Sequence, residues 1–130
     1  MNVFNRISLL LAIVLIPGIL AAGPWQLNNE IMLAMKSGNS KMLAKYFEAN
    51  IELKIIDDEE IYSKTQAELI LKDFFAKNKP SDFKTIHDGG EGVKYAIGNL
   101  TTDNGNYRVT IMYRVVGEKP VIKTIRIEEE

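Results

Sequence analysis

The last fifty residues alternate between apolar and polar positions with a period of two, which is the pattern of half-buried β-strands. The clearest alternation puts one set of side chains on the same side of a strand: Tyr107, Val109, Ile111, Tyr113 and Val115. Asp103-Asn104-Gly105 comes just before it, and Asn-Gly is favoured in two-residue hairpin turns because both positions need a positive φ. A last turn is predicted at 117–120 and a last strand at 121–127. The region therefore predicts four strands joined by tight turns.

The first two of these strands carry the residues of most chemical interest. Alternation places Phe83, Thr85 and His87 on one face of the first strand. Asp88 falls on the other face. After a glycine-rich turn, Tyr95 belongs to the second strand, which alternates in the same way.

Upstream of the sheet, apolar residues recur at helical spacing. A first helix is predicted over 25–35, with Gly38 in the left-handed position that follows many helices. Asn39 or Ser40 is suited to cap a second helix by accepting hydrogen bonds from its first amides. The buried stripe of that helix is predicted to contain Met42, Leu43, Tyr46 and Phe47.

A strand and a third helix follow. Alternation at 51–56 predicts a half-buried strand, and the acidic run Asp57–Glu60 predicts a turn before a short extended piece at 61–62. Ser63 and Gln66 match a capping box, in which each side chain bonds the backbone of the other residue. The helix that begins there is predicted to bury Ala67, Ile70, Leu71, Phe74 and Phe75.

The first 22 residues have the three-part layout of a secretory signal peptide. Asn5-Arg6 is a short basic start, 7–20 is an apolar run, and Ala21-Ala22 supplies small residues for cleavage. The run is about 14 residues long, short of the roughly 20 that span a bilayer. We therefore expect a leader at 1–22 and one exported domain at 23–130, with no membrane span after cleavage. The alternative is an uncleaved anchor, because Leu20 is bulky for a position near the cut.

Composition narrows the class of protein. The chain has 130 residues and is 46% hydrophobic, which is enough for one globular core. Its net charge of −1 gives no broad field that would recruit nucleic acid. The absence of cysteine excludes disulfides and thiolate chemistry. An exported domain without disulfides fits a bacterial periplasm.

Several local sequences resemble a known family. The matching segments are Gly38-Asn39, Tyr46-Phe47, Ser63–Ala67, Phe74-Phe75, His87-Asp88-Gly89 and Tyr95–Gly98. They look like the DUF4783 family, small exported proteins of Bacteroidetes without an assigned activity. The order of elements resembles the wider nuclear-transport-factor-2-like (NTF2-like) superfamily, which includes ketosteroid-isomerase-like and SnoaL-like proteins.

The resemblance implies an α+β, cone-shaped, cystatin-like fold with an interior pocket. Three N-terminal helices would pack inside a strongly bent, mainly antiparallel sheet. The shared motifs are structural, so they imply no catalytic residues. Isomerases of the superfamily use a strand carboxylate as base beside a tyrosine or an acid. Here the strand faces predicted to point inward carry no carboxylate, which favours binding over catalysis.

Six side chains are candidates for lining the pocket: Tyr62, Phe74, Phe83, His87, Tyr95 and Tyr113. Aromatic rings would supply apolar contacts and tyrosine hydroxyls a hydrogen-bond donor, although such alternation is also typical of a plain core. His87, the single histidine, is the candidate general base, since histidine changes protonation near physiological pH. The alternative is a histidine that bonds the adjacent glycine turn.

Clusters of charged residues suggest two further sites. The run Asp57–Glu60 could bind a divalent cation, but consecutive carboxylates do not converge on one ion, so we predict a solvated turn and no metal site. The sheet carries five basic residues that could engage an anionic partner: Lys94, Arg108, Arg114, Lys123 and Arg126. The alternative is that they form the solvated side of the sheet. Glycines 89, 90 and 92 are not followed by a helix, so they predict no nucleotide loop, and we expect no cofactor.

The sequence thus favours an exported, non-enzymatic module that binds a small apolar or amphipathic molecule or an envelope protein. One alternative is a pocket enzyme, an isomerase or a hydrolase, that uses His87 and a tyrosine. Another is a homodimer joined through the sheet face. A cavity of roughly 300 Å³ or more with His87 at its wall would favour the enzyme, whereas a filled cone would exclude it.

Overall fold

Three helices and six strands make up residues 27–130, the part of the chain that the computed structural model describes. The helices are α1 (Asn29–Ser37), α2 (Ser40–Ala44) and α3 (Lys64–Lys77). The strands are β1 (Phe47–Ile55), β2 (Asp58–Ser63), β3 (Pro80–Gly90), β4 (Lys94–Thr102), β5 (Gly105–Val116) and β6 (Lys119–Glu129). The predicted leader at 1–22 and the start of the predicted first helix lie outside these residues. Over 27–130, no helix is long and apolar enough to cross a membrane.

All six strands form one curved sheet in the order β2-β1-β6-β5-β4-β3. Strands β3 to β6 are successive antiparallel neighbours, and β1 is antiparallel to β2. The exception is the pairing of β1 with β6, which is parallel and sets Leu53 beside Ile125 and Ile55 beside Ile127. This pairing joins the N-terminal hairpin to the C-terminal meander, so the sheet is mainly antiparallel, as predicted.

One face of the sheet, called the inner face below, packs against the helices. The strands contribute fully buried side chains at Leu53, Leu100, Val109, Ile111, Ile125 and Ile127. The helices contribute Ile31, Met35, Leu43 and Leu71, which are also fully buried. Burial of each such side chain stabilises the fold by about 1.5–3 kcal/mol. The centre of the fold is therefore filled with side chains, and open space lies at its edges.

Local hydrogen bonds define the helix ends. The side chain of Asn28 accepts from the amides of Glu30 and Ile31 at 2.7 and 3.2 Å and so caps α1. Gly38 follows α1 with φ 67°, as predicted, because a left-handed residue here lets backbone amides reach the last carbonyls. Asn39 caps α2, and the predicted capping box at the start of α3 is present.

The second helix is shorter than predicted. It ends at Ala44, and Phe47 is already the first residue of β1. The prediction that Tyr46 and Phe47 belong to a helical stripe was wrong, because this segment pairs with β6: the amide of Ile122 donates to the carbonyl of Tyr46 at 2.7 Å. Phe47 is buried all the same, so the apolar pattern identified a core residue but misassigned its conformation.

The acidic run at 57–60 is mostly strand rather than turn. The chain turns at 56–57, where Ile56 has φ 58°, and β2 begins at Asp58. Asp58 lies opposite Ile55 and Glu60 opposite Leu53. Successive carboxylates of the run therefore point to opposite faces of the sheet, and Asp58 and Glu60 share one face.

The predicted hairpin between β4 and β5 is confirmed. Its two-residue turn is Asp103-Asn104 rather than the expected Asn104-Gly105, because Thr102 pairs with Gly105. Gly105 has a positive φ of 128°, whereas Asn104 does not have the positive φ expected of it. Four of the alternating residues of β5 are buried, namely Tyr107, Val109, Ile111 and Tyr113. Val115, near the end of the strand, was expected with them but is 44% exposed.

Gly98 on β4 lies against the ring of Phe83 on the neighbouring strand. A Cβ atom at Gly98 would lie 2.6 Å from Cζ of Phe83 and 2.8 Å from the carbonyl oxygen of Lys84. We expect Gly98→Ala to lower the free energy of unfolding by about 2 kcal/mol, a typical cost of overpacking. Gly92→Ala is the matched control, since a Cβ there meets nothing within 4 Å. Denaturant unfolding measures both variants, and equal losses would contradict the packing described.

A polar cluster ties α1 to the start of β1. The Tyr46 hydroxyl donates to Oε1 of Glu30, and Nζ of Lys45 lies 3.3 Å from Oε2 of the same carboxylate. The hydrogen bond from Tyr46, with the charge of Lys45, lowers the pKa of Glu30 below its ordinary value of 4.5. The same bond raises the pKa of Tyr46 above 10.0.

These two pKa shifts predict that the contribution of the Glu30–Tyr46 hydrogen bond to stability falls at both low and high pH. A carboxyl whose folded pKa is lowered contributes stability above its unfolded pKa and loses it as the pH falls through the folded pKa. A phenol whose folded pKa is raised contributes stability below its unfolded pKa and loses it as the pH rises through the folded pKa. The advantage of the native protein over Glu30→Gln should therefore be largest between about pH 5 and 9 and shrink on both sides. Thermal unfolding across pH measures it, and a constant difference would contradict the assignment.

Candidate functional site

The six predicted pocket residues do not meet in one cavity. Phe83 and Tyr113 are buried in the core. Tyr62 and Phe74 line a cleft beside α3, while His87 lines a separate cleft beside α1. Tyr95 pairs with Met112 on the outer face of the sheet and lies opposite Gly89. The structure therefore divides the predicted set among the core, two clefts and the outer face.

A bulge in β3 explains the position of His87. Thr85 pairs with Gly98 and His87 with Ile97, so Ile86 is an extra residue in the strand. One extra residue in a strand turns each side chain that follows it to the opposite face of the sheet. The prediction that His87 shares a face with Phe83 and Thr85 was thus wrong. Asp88, opposite the buried Ala96, is the residue on the inner face.

The cleft beside α3, called the α3 cleft below, is a concave surface with a mainly apolar wall. It has a volume of about 360 Å³ and lies between α3 and the β1–β2 hairpin. Its apolar and aromatic wall consists of Leu53, Ile55, Tyr62, Ile70 and Phe74. Its polar rim consists of Asp58, Asp73, Lys77 and Asn78.

Two periodicities bring these residues together. In α3, the lining residues are spaced three and four apart, at 70, 73, 74 and 77, so they share one helix face. In the hairpin, the lining residues at 53, 55, 58 and 62 all lie on the inner face, because Ile55 is opposite Asp58. The cleft is therefore a gap between one stripe of a helix and one face of a hairpin.

Asn78 forms the rigid end of the α3 cleft. Its Nδ2 donates to the carbonyl of Phe74 at 3.0 Å, which closes the end of the helix. Its Oδ1 accepts from Nδ2 of Asn104 at 2.9 Å and from the hydroxyl of Tyr107 at 3.0 Å. The rings of Phe74 and Tyr107 also pack edge to face, with centroids 5.3 Å apart. This buried network binds the end of α3 to the β4–β5 hairpin.

Sequence reasoning missed Asn78 as part of the site. Its position in the segment that ends α3 gave it a plain structural explanation. The signal that could have identified it is the combination of an asparagine just after a helix and a second asparagine in the hairpin turn. Their contact spans 26 residues of sequence, so only the fold brings them together.

The cleft beside α1, called the α1 cleft below, is larger but has a less apolar wall. Its volume is about 460 Å³, and its lining is Leu27, Asn29, Met32, Thr85, Ile86, His87 and Asp88. Oγ1 of Thr85 is buried without a hydrogen-bond partner. Burial and then the negative charge of Asp88 raise the pKa of Tyr113. His87 is exposed, and its ring bonds no other residue within 27–130.

Carboxylates do stand on the inner face, contrary to prediction. Asp58 and Glu60 on β2, Asp88 on β3 and Glu129 on β6 lie opposite Ile55, Leu53, Ala96 and Tyr107, respectively. All four are exposed, so they surround the edges of the packed core rather than its interior. The prediction is wrong because β2 begins at Asp58, where a turn is expected, and because the bulge at Ile86 moves Asp88 to the inner face.

The basic residues of the outer face are largely neutralised by acidic neighbours. Arg114 lies 2.6 Å from Glu48, and Arg126 lies 2.9 Å from Glu59. Lys54 lies 2.9 Å from Glu128 and, with nearby arginines, lowers the pKa of that carboxyl. Arg108 lies 3.7 Å from Glu130. These pairs match the alternative of a solvated sheet side; whether the face also binds a second copy stays a prediction.

Within residues 27–130, no three potential metal ligands cluster. In the acidic run, Asp58 and Glu60 lie on one face of β2 and Glu59 on the other.

The described architecture is that of the NTF2-like class, as the resemblance implied. The protein named "Rd1NTF2_04 with long sheet" superposes with a TM-score of 0.60 at 15% identity, covering 76% of this chain and 94% of that one. At this identity the likeness concerns the fold alone.

Sequence comparison then identifies the family. Residues 28–128 match the family described as a domain of unknown function, DUF4783. A DUF4783 family protein from Bacteroides fragilis YCH46 is 35% identical with a TM-score of 0.76, covering 81% of this chain and 100% of that one. One from Bacteroides uniformis ATCC 8492 is 34% identical with a TM-score of 0.75, covering 81% and 98%. The chain belongs to the DUF4783 family. No protein of curated function matches it.

The network around Asn78 predicts a measurable loss when it is removed. Asn78→Ala would leave the buried hydroxyl of Tyr107 without its acceptor, and we expect the free energy of unfolding to fall by about 1–3 kcal/mol. Asn106→Ala is the control, because Asn106 is exposed on the neighbouring strand. Denaturant unfolding compares them, and an Asn78 variant as stable as the control would rule out a structural role for the network.

Proposed function

We propose that the protein is an exported, non-enzymatic binding module that holds a small amphipathic molecule in the α3 cleft. The observation that carries this proposal is the cleft itself, whose apolar and aromatic wall ends in a polar rim. Export is supported by the leader pattern of residues 1–22.

The size and lining of the α3 cleft suit a small ligand. Its volume of about 360 Å³ falls within the roughly 300–1,000 Å³ of small-molecule sites. An apolar chain of about eight buried methylene groups would contribute roughly 6 kcal/mol, at about 0.8 kcal/mol each. The loss of rigid-body freedom offsets much of this, so we expect a dissociation constant in the micromolar to millimolar range.

The chemistry of the rim favours binding over catalysis. The polar groups of Asn78 are engaged in structural hydrogen bonds, and Asp73 is paired with Lys77 at 3.0 Å. The chain's single histidine lies on the outer face, away from this cleft. The lining residues include no histidine, and the carboxylates of Asp58 and Asp73 are exposed.

A pocket enzyme is the second candidate, and the α1 cleft is what favours it. This cleft exceeds 300 Å³ and has His87 and Asp88 at its wall. His87 lacks an orienting hydrogen bond within residues 27–130, and the bulge turns it from Tyr113. Within residues 27–130, buried aliphatic side chains fill the centre of the cone. Binding in the α3 cleft is therefore the better supported proposal.

Blocking the cleft tests the proposal directly. Ile70→Trp would fill the space from its α3 wall, whereas Leu69→Trp adds the same group at a side chain that is 59% exposed. Titration with 1-decanol, followed by calorimetry and by NMR shifts of Tyr62 and Phe74, should show binding to the native protein and to the Leu69 variant. The Ile70 variant should bind at least about tenfold more weakly.

His87→Ala separates the two candidates in the same assay. A binding module that uses the α3 cleft should keep its affinity for 1-decanol in this variant. Loss of binding on changing His87, or retention of full binding in a folded Ile70→Trp variant, would overturn the proposed site.

A further inference from the structure

We infer that the α3 cleft selects amphipathic molecules whose polar end is an organic cation, such as an alkylammonium group. This inference rests on the proposed function, because it assigns a ligand class to the same cleft. It depends on which charges stand at the cleft and which of them are already neutralised.

The polar rim of the cleft has one negative charge in excess. Its charged members are Asp58, Asp73 and Lys77. Asp73 and Lys77 neutralise each other across one helical turn, with Oδ2 and Nζ 3.0 Å apart. Asp58 has no such pair within the described residues. The carboxylate of Asp58 is therefore the charge that a ligand would meet.

The strand register adds two carboxylates on the same face. Glu60 lies between Asp58 and Tyr62 on the inner side of β2, opposite Leu53. Glu129 lies opposite Tyr107, whose hydroxyl bonds Asn78 at the end of the cleft. Glu60 and Glu129 form no salt bridge with residues 27–130.

The outer face of the same strands shows the contrast. There Glu59 is paired with Arg126 at 2.9 Å and Glu128 with Lys54 at 2.9 Å. Acidic residues of β2 and β6 are thus neutralised by cations on the outer face but not on the inner face. The excess negative charge is a property of the cleft side of the sheet.

The apolar wall of the cleft suits a cation that is attached to a hydrocarbon chain. Leu53, Ile55 and Ile70 offer aliphatic contact to a chain. Tyr62 and Phe74 add aromatic rings to the lining, and the quadrupole of an aromatic ring attracts an ammonium group. A bare metal ion is less suited, because residues 27–130 contain no cluster of three ligands. The combination of aliphatic wall, aromatic rings and unpaired carboxylates fits an amphipathic amine.

Three probes that differ only in the head group test this inference. Decylammonium, 1-decanol and decanoate carry a positive, a neutral and a negative end at pH 7. We expect decylammonium to bind about tenfold more tightly than decanoate, since an exposed charge pair contributes up to about 1 kcal/mol and repulsion costs a similar amount. The preference should weaken at high salt.

A pair of matched substitutions localises the effect. Asp58→Asn removes the carboxylate at the cleft rim and should weaken decylammonium binding by about two- to fivefold, more than it weakens 1-decanol binding. Asp57→Asn makes the same chemical change one residue away, in the exposed turn outside the lining, and should have less effect.

The outcomes distinguish this inference from the proposed function. Equal binding of the three probes, or equal effects of the two substitutions, would overturn the charge preference and leave the cleft as a binding site. Tighter binding of decanoate would also overturn it. Failure of all three probes to bind the folded protein would instead refute the proposed function.

Discussion

The parallel pairing of β1 with β6 is the constraint on which the rest of the structure depends. It joins two segments that lie more than 70 residues apart, setting Leu53 beside Ile125 and Lys54 beside Arg126. Without it, the β1–β2 hairpin would be separate from the meander, and a two-stranded hairpin alone is marginally stable. With it, the hairpin becomes the edge of one continuous inner face, and α3 can pack against β1 and β2 to leave the α3 cleft.

The position of charge relative to that inner face decides which functions are plausible. The resemblance to the NTF2-like superfamily implies that an enzyme of this fold would need an interior carboxylate beside a tyrosine. In this chain the centre of the fold is filled by aliphatic side chains, and the inner-face carboxylates stand at exposed positions around it. A carboxylate in contact with water can attract a cation but is not held in the water-excluded surroundings typical of a catalytic carboxyl. The same distribution therefore favours recognition of charge at a rim.

Features that depend on neighbouring residues were predicted well. The capping box of Ser63 and Gln66, the left-handed Gly38 and the hairpin at Asn104 each need only a few consecutive residues to be satisfied. Two of the candidate pocket residues, Tyr62 and Phe74, do share a cleft. His87 and the acidic run were misplaced for a different reason. Their facing depends on a single bulged residue and on where a strand starts, and period-two patterns do not reveal either.

The sequence by itself determined the order of elements, the caps at Gly38, Asn39 and Ser63, the β4–β5 hairpin and the identity of most core residues, because burial and local hydrogen bonding act on periodic and short-range patterns. It also indicated the family through local motifs. The tertiary structure alone decided which side chains face a common space. Asn78 reaches Tyr107 and Asn104 only when α3 closes on the β4–β5 hairpin. Asp58 and Phe74 line one cleft only when the β1–β2 hairpin is held in the sheet by β6. These contacts join distant segments, so they follow from the packing of the whole sheet against its helices.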